Sequence, residues 1–263
     1  MKLSLSLAAL AAGAFQVVSG QTVYFADADQ MKGDSTMAKN GANDGVTDGW
    51  GNYIGKYLKV TAVNKAIGGR SARSYTNEGR FTEIVNLVKK GDIVVIEFGH
   101  NDGGSPEKND NNRSDCPGAG TEVCISDKTG EKVYTFVFYV SQAAKALVAK
   151  GATVILSSQT PNNQWETGTF EPAAPRFVGY VPTAAKALNS PSVTYVDHFA
   201  AVTKMYQKLG NAKVNSLYPK DHTHTSPEAA DLIAKAFVQA IDEEMNGKTS
   251  LKPYIKTPVT KVY

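Results

Sequence analysis

The chain has 263 residues and a formal net charge of +3, and 42% of its residues are hydrophobic and 20% charged. This composition is ordinary for a soluble globular protein, and the length suits one domain with a full core. The small charge, without a block of basic residues interleaved with aromatics, argues against a nucleic-acid partner. No stretch after residue 20 is long and apolar enough to span a bilayer.

The first twenty residues read as a secretory signal peptide. Lys2 gives a positive start, residues 3–18 are apolar, and small residues precede a cut before Gln21. An N-terminal membrane anchor is the alternative, but the apolar run is short and lacks a basic stop-transfer flank. We therefore expect a secreted protein with one domain over residues 21–250. The tail at 251–263 is basic and contains proline, and we expect it to be poorly ordered.

Short β-branched runs alternate with helical stretches along the chain. The predicted strands cover residues 23–26, 60–63, 93–98, 153–156 and 193–196. The predicted helices cover residues 50–58, 80–89, 135–150, 174–188, 200–209 and 227–245. This alternation predicts a parallel sheet with right-handed crossovers, in a three-layer α/β/α fold of the flavodoxin-like kind.

A polar insertion over residues 103–130 interrupts this alternation. It contains the two cysteines, Cys116 and Cys124, and we expect them to form a disulfide in an oxidising compartment. Asn112 begins an Asn-Arg-Ser sequon, which a secreted chain could carry glycosylated.

Ser35 follows the first apolar run in the sequence Gly-Asp-Ser-Thr-Met, ahead of a glycine-rich loop. A hydroxyl at the carboxyl end of a buried strand can act as a nucleophile if a base reaches it. Taken alone, the fragment is more typical of a turn or of a helix cap formed by Asp34 or Ser35.

Near the C-terminus, Asp221 and His224 lie three residues apart, just before a helix start marked by Pro227 and by a capping box of Thr225 and Glu228. Residues at this spacing in a turn face the same way, so Asp221 can orient His224 for proton transfer. A structural pair is one alternative. A metal site with His222 is another, although imidazoles two residues apart do not readily converge on one ion.

Two further runs offer hydrogen-bond donors. Asn101 follows the strand at 93–98, and its amide can donate to a developing oxyanion. Gly69 lies in a Gly-Gly-Arg-Ser run, where the backbone can approach a ligand closely. Singly, each run is more typical of a turn.

Together, the Gly-Asp-Ser block, the Gly69 loop, the Gly-His-Asn-Asp run around Asn101 and the Asp221-x-x-His224 block resemble the SGNH (GDSL) hydrolases, in that family's order. The runs at 69–75, 97–104, 157–163 and 221–227 resemble its fungal rhamnogalacturonan acetylesterase subgroup. The resemblance implies Ser35 as nucleophile, His224 as base and then acid, and Asp221 as the residue that orients His224. It implies an oxyanion hole made by the Ser35 and Gly69 N–H groups and the Asn101 side chain, with no metal or cofactor.

The resemblance also implies a substrate. We expect a secreted, monomeric acetylesterase that acts on the acetylated pectic backbone, and Arg70 and Arg73 could attract its galacturonate carboxylates. Structural ion pairs are the equal alternative for these arginines. Other possible functions are an acetylesterase for xylan, a broad GDSL lipase, or a non-catalytic carbohydrate-binding protein.

The chain departs from the family at residues 27–32, which separate the first strand from the Gly-Asp-Ser block. Burying the charged residues of this segment in a sheet would be costly, whereas looping it out costs little. We therefore expect an exposed bulge beside the site.

Overall fold

The computed structural model describes residues 21–26 and 36–263. The predicted signal peptide, the bulge at 27–32 and Ser35 lie outside these described residues and stay predictions. Among the residues that the structure describes, no helix has the length and hydropathy that crossing a membrane requires.

A five-stranded parallel sheet forms the middle layer, as predicted. Its strands are β1 (Thr22–Ala26), β2 (Thr61–Asn64), β3 (Ile93–Phe98), β6 (Thr153–Ser158) and β7 (Val193–Val196). The spatial order is β2-β1-β3-β6-β7, so the order reverses at β1 and β3. Register follows from pairs such as Tyr24 with Val94 and Val95 with Ile155. Every residue of β3 is buried, because helices cover both faces of the sheet.

Helices make the outer layers. The longer ones are α2 (Arg80–Leu87), α4 (Phe136–Ala149), α5 (Arg176–Leu188), α6 (His198–Leu209) and α8 (Pro227–Asp242). The short helices are α1 (Ala72–Asn77), α3 (Pro106–Asn109) and α7 (Asn211–Ser216). Two apolar clusters pack between these layers and the sheet, one centred on Trp50 and Phe237 and the other on Tyr75 and Phe136.

The predicted helix at residues 50–58 does not form as one helix. Two 3-10 turns stand there instead, Trp50–Asn52 and Ile54–Tyr57. Glycines at 51 and 55 weaken a continuous helix. A side chain at Gly51 would meet the Met37 carbonyl oxygen at 2.6 Å, so glycine allows the close approach that holds Trp50 in the core.

The insertion is more structured than a polar loop. It contains α3 and β4 (Val123–Ile125), and β4 forms a hairpin with β5 (Lys132–Tyr134), which lies just after the insertion. A disulfide joins Cys116 to Cys124 at its base, as expected from the sequence. Asn112 is exposed in the same segment, and glycosylation there stays a prediction.

The C-terminal tail packs against the core, which differs from the expectation of a poorly ordered segment. Leu251 and Ile255 are buried in the Trp50 cluster, and the Lys256 N–H donates to the Tyr57 carbonyl. The Val262 N–H donates to Gln239 Oε1 at 2.7 Å. Burial of two apolar residues four positions apart holds this tail against the core. The burial stabilises the tail despite its basic and proline-containing composition.

Candidate active site

The predicted site residues that the structure describes come together at the carboxyl edge of the sheet. Asn101 follows β3, Gly69 lies in the loop between β2 and α1, and Asp221 and His224 precede α8. In open α/β sheets this edge, at the point where strand order reverses, is where ligands bind.

Asp221 and His224 form a hydrogen-bonded pair. Asp221 Oδ2 lies 2.6 Å from His224 Nδ1, and Asp221 Oδ1 accepts the N–H groups of Thr223 and His224 at 2.8 and 2.7 Å. Burial would raise the pKa of Asp221, but the hydrogen bonds from His224 and Thr223 outweigh it and lower the pKa. The carboxylate therefore stays ionised and fixes the imidazole with Nε2 pointing away.

Two neighbouring residues hold the histidine loop in place. Ser226, rather than the predicted Thr225, caps α8 by accepting the Ala229 N–H, and Pro227 occupies the first turn. Thr225 faces the glycine-rich loop: its Oγ1 donates to the Asp48 carbonyl at 3.0 Å, and the Asp48 N–H donates to the Thr225 carbonyl at 2.9 Å. This double link joins the loop that follows the serine block to the loop that carries His224.

Two side-chain atoms of the predicted catalytic and oxyanion-hole residues are buried and have no hydrogen-bond partner among the described residues. They are His224 Nε2 and Asn101 Nδ2. Burying such atoms unpaired is costly, so their presence indicates a place for a ligand or reacting group. Nε2 can accept a proton, and Nδ2 can donate a hydrogen bond to a developing negative charge.

Gly69 has a left-handed backbone, with φ of 78°, which glycine adopts without strain. The Arg113 guanidinium joins this residue to Asn101: Arg113 Nη1 lies 3.2 Å from Asn101 Oδ1 and 3.4 Å from the Gly69 carbonyl oxygen. The sequence analysis assigned no role to Arg113, because it stands inside a sequon and no local pattern connects it to Asn101.

Two buried carboxyl groups, those of Asp102 and Asp115, lie next to Asn101, which Asp102 follows in the chain. Asp102 is 0% exposed and accepts the Ala72 N–H on Oδ1 at 2.7 Å, and Asp115 is 1% exposed. The Asp115 N–H also donates to the Asp102 carbonyl. Burial, and then the charge of Asp102, raise the pKa of Asp115 well above its usual range.

Arg73 is not available to a substrate, which corrects one prediction. Its side chain is 2% exposed and makes a two-point ion pair with Asp110, at 2.7 and 2.8 Å. Helix α1 turns this residue towards the insertion, and the structural alternative therefore holds. Arg70 is partly exposed and pairs with Glu78 at 2.8 Å, so substrate contact there stays a prediction.

A cavity of about 630 Å³ adjoins the site. It is lined by both polar and apolar groups, from the residues that follow β3 and β6, from the loop between β6 and α5, and from Phe177 of α5 and Phe199 of α6. His222 lies at its rim, half exposed, with Nδ1 3.3 Å from Glu166 rather than beside His224. Among the described residues, no three His, Cys, Asp or Glu side chains converge as metal ligands.

A second histidine–carboxylate pair, which the sequence analysis missed, lies in the core. His198 Nδ1 is 2.9 Å from Glu97 Oε2, and His198 Nε2 is 3.1 Å from the Ile233 carbonyl oxygen. Glu97 also accepts hydrogen bonds from Trp50 Nε1 and Ser157 Oγ. The available signal was an acidic residue inside the apolar strand β3, since a buried charge needs a partner.

The chain is similar in sequence to several known proteins. The model of the GDSL-like Lipase/Acylhydrolase family matches residues 32–237. A rhamnogalacturonan acetylesterase of Emericella nidulans is 50% identical over 223 residues, which cover 84% of each chain. The rhamnogalacturonan acetylesterase RhgT of Bacillus subtilis is 27% identical over 232 residues, covering 81% of this chain and 88% of its own.

A solved structure supports the fold. The protein YxiM of Bacillus subtilis superposes with a TM-score of 0.65 at 22% identity, covering 87% of this chain and 58% of that chain. At this identity the likeness shows the fold alone, a central parallel sheet between helical layers.

Proposed function

Since the chain belongs to the GDSL-like lipase/acylhydrolase family and is therefore a carboxylic ester hydrolase, we propose that it removes acetyl groups from the rhamnogalacturonan backbone of pectin. The observation that carries this proposal is the 50% identity to a rhamnogalacturonan acetylesterase over 84% of the chain. The buried, unpartnered Nε2 of His224 beside an ionised Asp221 supports the esterase chemistry.

In the proposed reaction, Ser35 Oγ attacks the acetyl carbonyl carbon while His224 Nε2 takes the hydroxyl proton. The carbonyl oxygen becomes negative, and the Asn101 side-chain amide and the Gly69 and Ser35 N–H groups donate to it. Each such donor is worth about 3–4 kcal/mol of transition-state stabilisation. The tetrahedral intermediate collapses as His224 returns the proton to the sugar oxygen, which leaves as a hydroxyl.

The second half of the reaction regenerates the enzyme. Water attacks the acetyl-serine carbonyl carbon, and Nε2 takes a proton from that water. Collapse of the second intermediate returns the proton to Ser35 Oγ and releases acetate. Every proton moves through the same nitrogen, so the chemistry depends on Asp221 keeping the ring in one orientation.

We further propose that residues 1–20 direct secretion, since the substrate is a cell-wall polymer and the leader has the pattern of a signal peptide. Mass analysis of the mature protein, expected to begin at Gln21, would test this cut.

The test of function is acetate release from acetylated rhamnogalacturonan and from acetylated xylan, with Ser35→Ala as the matched control. We expect clear preference for rhamnogalacturonan and no release by Ser35→Ala, whose circular dichroism should equal that of the wild type. Preference for xylan would overturn the substrate, and an active Ser35→Ala variant would overturn the mechanism.

A further inference from the structure

The side-chain amide of Asn101 has a nitrogen end and an oxygen end, and only the nitrogen end can donate a hydrogen bond to an oxyanion. The nitrogen end donates and the oxygen end accepts. If the amide turned over, its oxygen would face the developing negative charge and would repel it. Something must therefore hold the oxygen end away from the reacting carbonyl.

Arg113 meets this requirement. A guanidinium is a donor with no acceptor, so the end of Asn101 that faces it must be Oδ1, at 3.2 Å from Nη1. The nitrogen end is then left buried and without a partner, as observed. A cation on Oδ1 also draws electron density from the amide and makes its N–H groups stronger donors.

The same Nη1 reaches the Gly69 carbonyl oxygen at 3.4 Å. Gly69 has a left-handed backbone conformation. Because glycine has no side chain, no steric contact of its own holds the residue in that conformation. Arg113 therefore contacts both described residues of the predicted oxyanion hole, one through its side chain and one through its backbone.

The segment that carries Arg113 is itself firmly held. Asn111 Oδ1 accepts the Arg113 and Ser114 N–H groups at 2.9 and 2.8 Å. Arg73 Nη1 donates to the Ser114 carbonyl at 2.9 Å while its guanidinium pairs with buried Asp110. A two-point buried ion pair thus anchors the backbone of the turn from which Arg113 extends.

We propose that Arg113 is a positioning residue of the oxyanion hole, which orients the Asn101 amide, restrains Gly69 and strengthens the Asn101 donor. It acts through these residues and does not itself touch the substrate. The inference rests on the proposed esterase mechanism but not on the identity of the sugar polymer.

The experiment compares Arg113→Met, which keeps length but removes the charge and donors, with Arg113→Lys and with Arg80→Met. Arg80 pairs with Glu83 on the surface and serves as the control for loss of one positive charge. The substrate is 4-nitrophenyl acetate, a small neutral ester without a carboxylate. Substitution at 113 leaves the Asn112-x-Ser114 sequon intact, so glycosylation does not confound the comparison.

We expect Arg113→Met to lower kcat by about 10- to 100-fold with KM changed less than about twofold, since removing an oxyanion donor itself costs about 10²–10³. Arg113→Lys should fall between Arg113→Met and the wild type, because a single ammonium keeps the charge but loses the planar geometry. In the Asn101→Ala background the same Arg113→Met change should lower kcat clearly less than in the wild type, because only the contact with Gly69 is then left to lose.

An equal loss of kcat in both backgrounds would overturn the proposal, as would an unchanged kcat in Arg113→Met or an effect confined to KM. If Arg113→Met fails to fold, Arg113→Lys becomes the test. An Arg113→Lys variant with native Tm and wild-type kcat would then overturn the proposal. An inactive wild type would instead overturn the proposed function.

Discussion

Among the described residues, two buried histidines each pair with a carboxylate, and the two pairs differ in what the second ring nitrogen contacts. In the pair at the edge of the sheet, Asp221 binds Nδ1 of His224, and Nε2 has no partner among the described residues. In the core pair, Glu97 binds Nδ1 of His198, and Nε2 faces the Ile233 carbonyl oxygen.

Under the proposed mechanism, this difference is what separates a catalytic base from a structural group. His198 uses both ring nitrogens to join β3, α6 and α8, so no nitrogen remains to receive a proton from a substrate. His224 uses one nitrogen for orientation and keeps the other available. The carboxylate–imidazole contact alone therefore predicts nothing about catalysis; the partner of the second nitrogen decides.

The largest effect should come from the edge pair. We expect His224→Ala to lower kcat by about 10⁶-fold with little change in Tm, because proton transfer is lost while no buried hydrogen bond network is broken. His222→Ala, whose ring lies half exposed beside Glu166, should stay within about tenfold of the wild type. Steady-state kinetics on 4-nitrophenyl acetate measure both, and a reversed ranking would show that the wrong histidine is assigned.

Asp221→Asn tests the orienting half of that pair. The amide keeps the size of the carboxylate but can place a donor against Nδ1, which favours the wrong tautomer. We expect kcat to fall by about 10⁴-fold, less than for loss of the imidazole. A variant with nearly wild-type kcat would show that His224 is held by other contacts.

Breaking the core pair should instead change stability. We expect His198→Ala to lower the free energy of unfolding by about 3–5 kcal/mol, because it leaves the Glu97 charge buried without its partner. The folded fraction should keep its kcat. Urea unfolding of His198→Ala, Glu97→Gln and the double variant measures the coupling. Loss of kcat at full folding would place the core pair in the reaction.

The buried pair of Asp102 and Asp115 extends the comparison, because here one carboxyl group lies beside another instead of beside a histidine. The pKa of Asp115 is raised in the folded protein, which therefore binds more protons than the unfolded chain above pH about 4. Its contribution to stability is then complete at lower pH and is lost as pH rises towards the raised pKa.

Asp115→Asn cannot ionise, so its stability should not decline in that window. The difference in free energy of unfolding, wild type minus variant, should fall by up to about 1.4 kcal/mol per pH unit. Unfolding by urea at several pH values between 4 and 8 measures it, and a constant difference would contradict the raised pKa.

The sequence was sufficient for the sheet, because each strand is a short β-branched run bounded by turn residues. The predictions for two segments were wrong, for opposite reasons. Residues 50–58 have a helical apolar pattern, but glycines at 51 and 55 favour separate turns. Residues 251–263 look polar, yet Leu251 and Ile255 are spaced to bury together.

Within the site, Asp221 and His224 could be predicted because their contact is local, three residues apart. Arg73 and Arg113 could not, since their partners come from elsewhere in the chain. Arg73 pairs with Asp110 across 37 positions, and Arg113 meets Gly69 across 44. A long-range contact of this kind leaves no periodic or spacing signal in the sequence.

The double link between Asp48 and Thr225 has a consequence for biosynthesis. It spans 177 positions, so the loop after the serine block is translated long before the segment that docks against it. A nascent chain that ends before His224 lacks the proposed proton acceptor, however well its sheet has formed. The loop before α8 can dock only after most of the chain has been translated, and under the proposed mechanism a polypeptide truncated before His224 has no esterase activity.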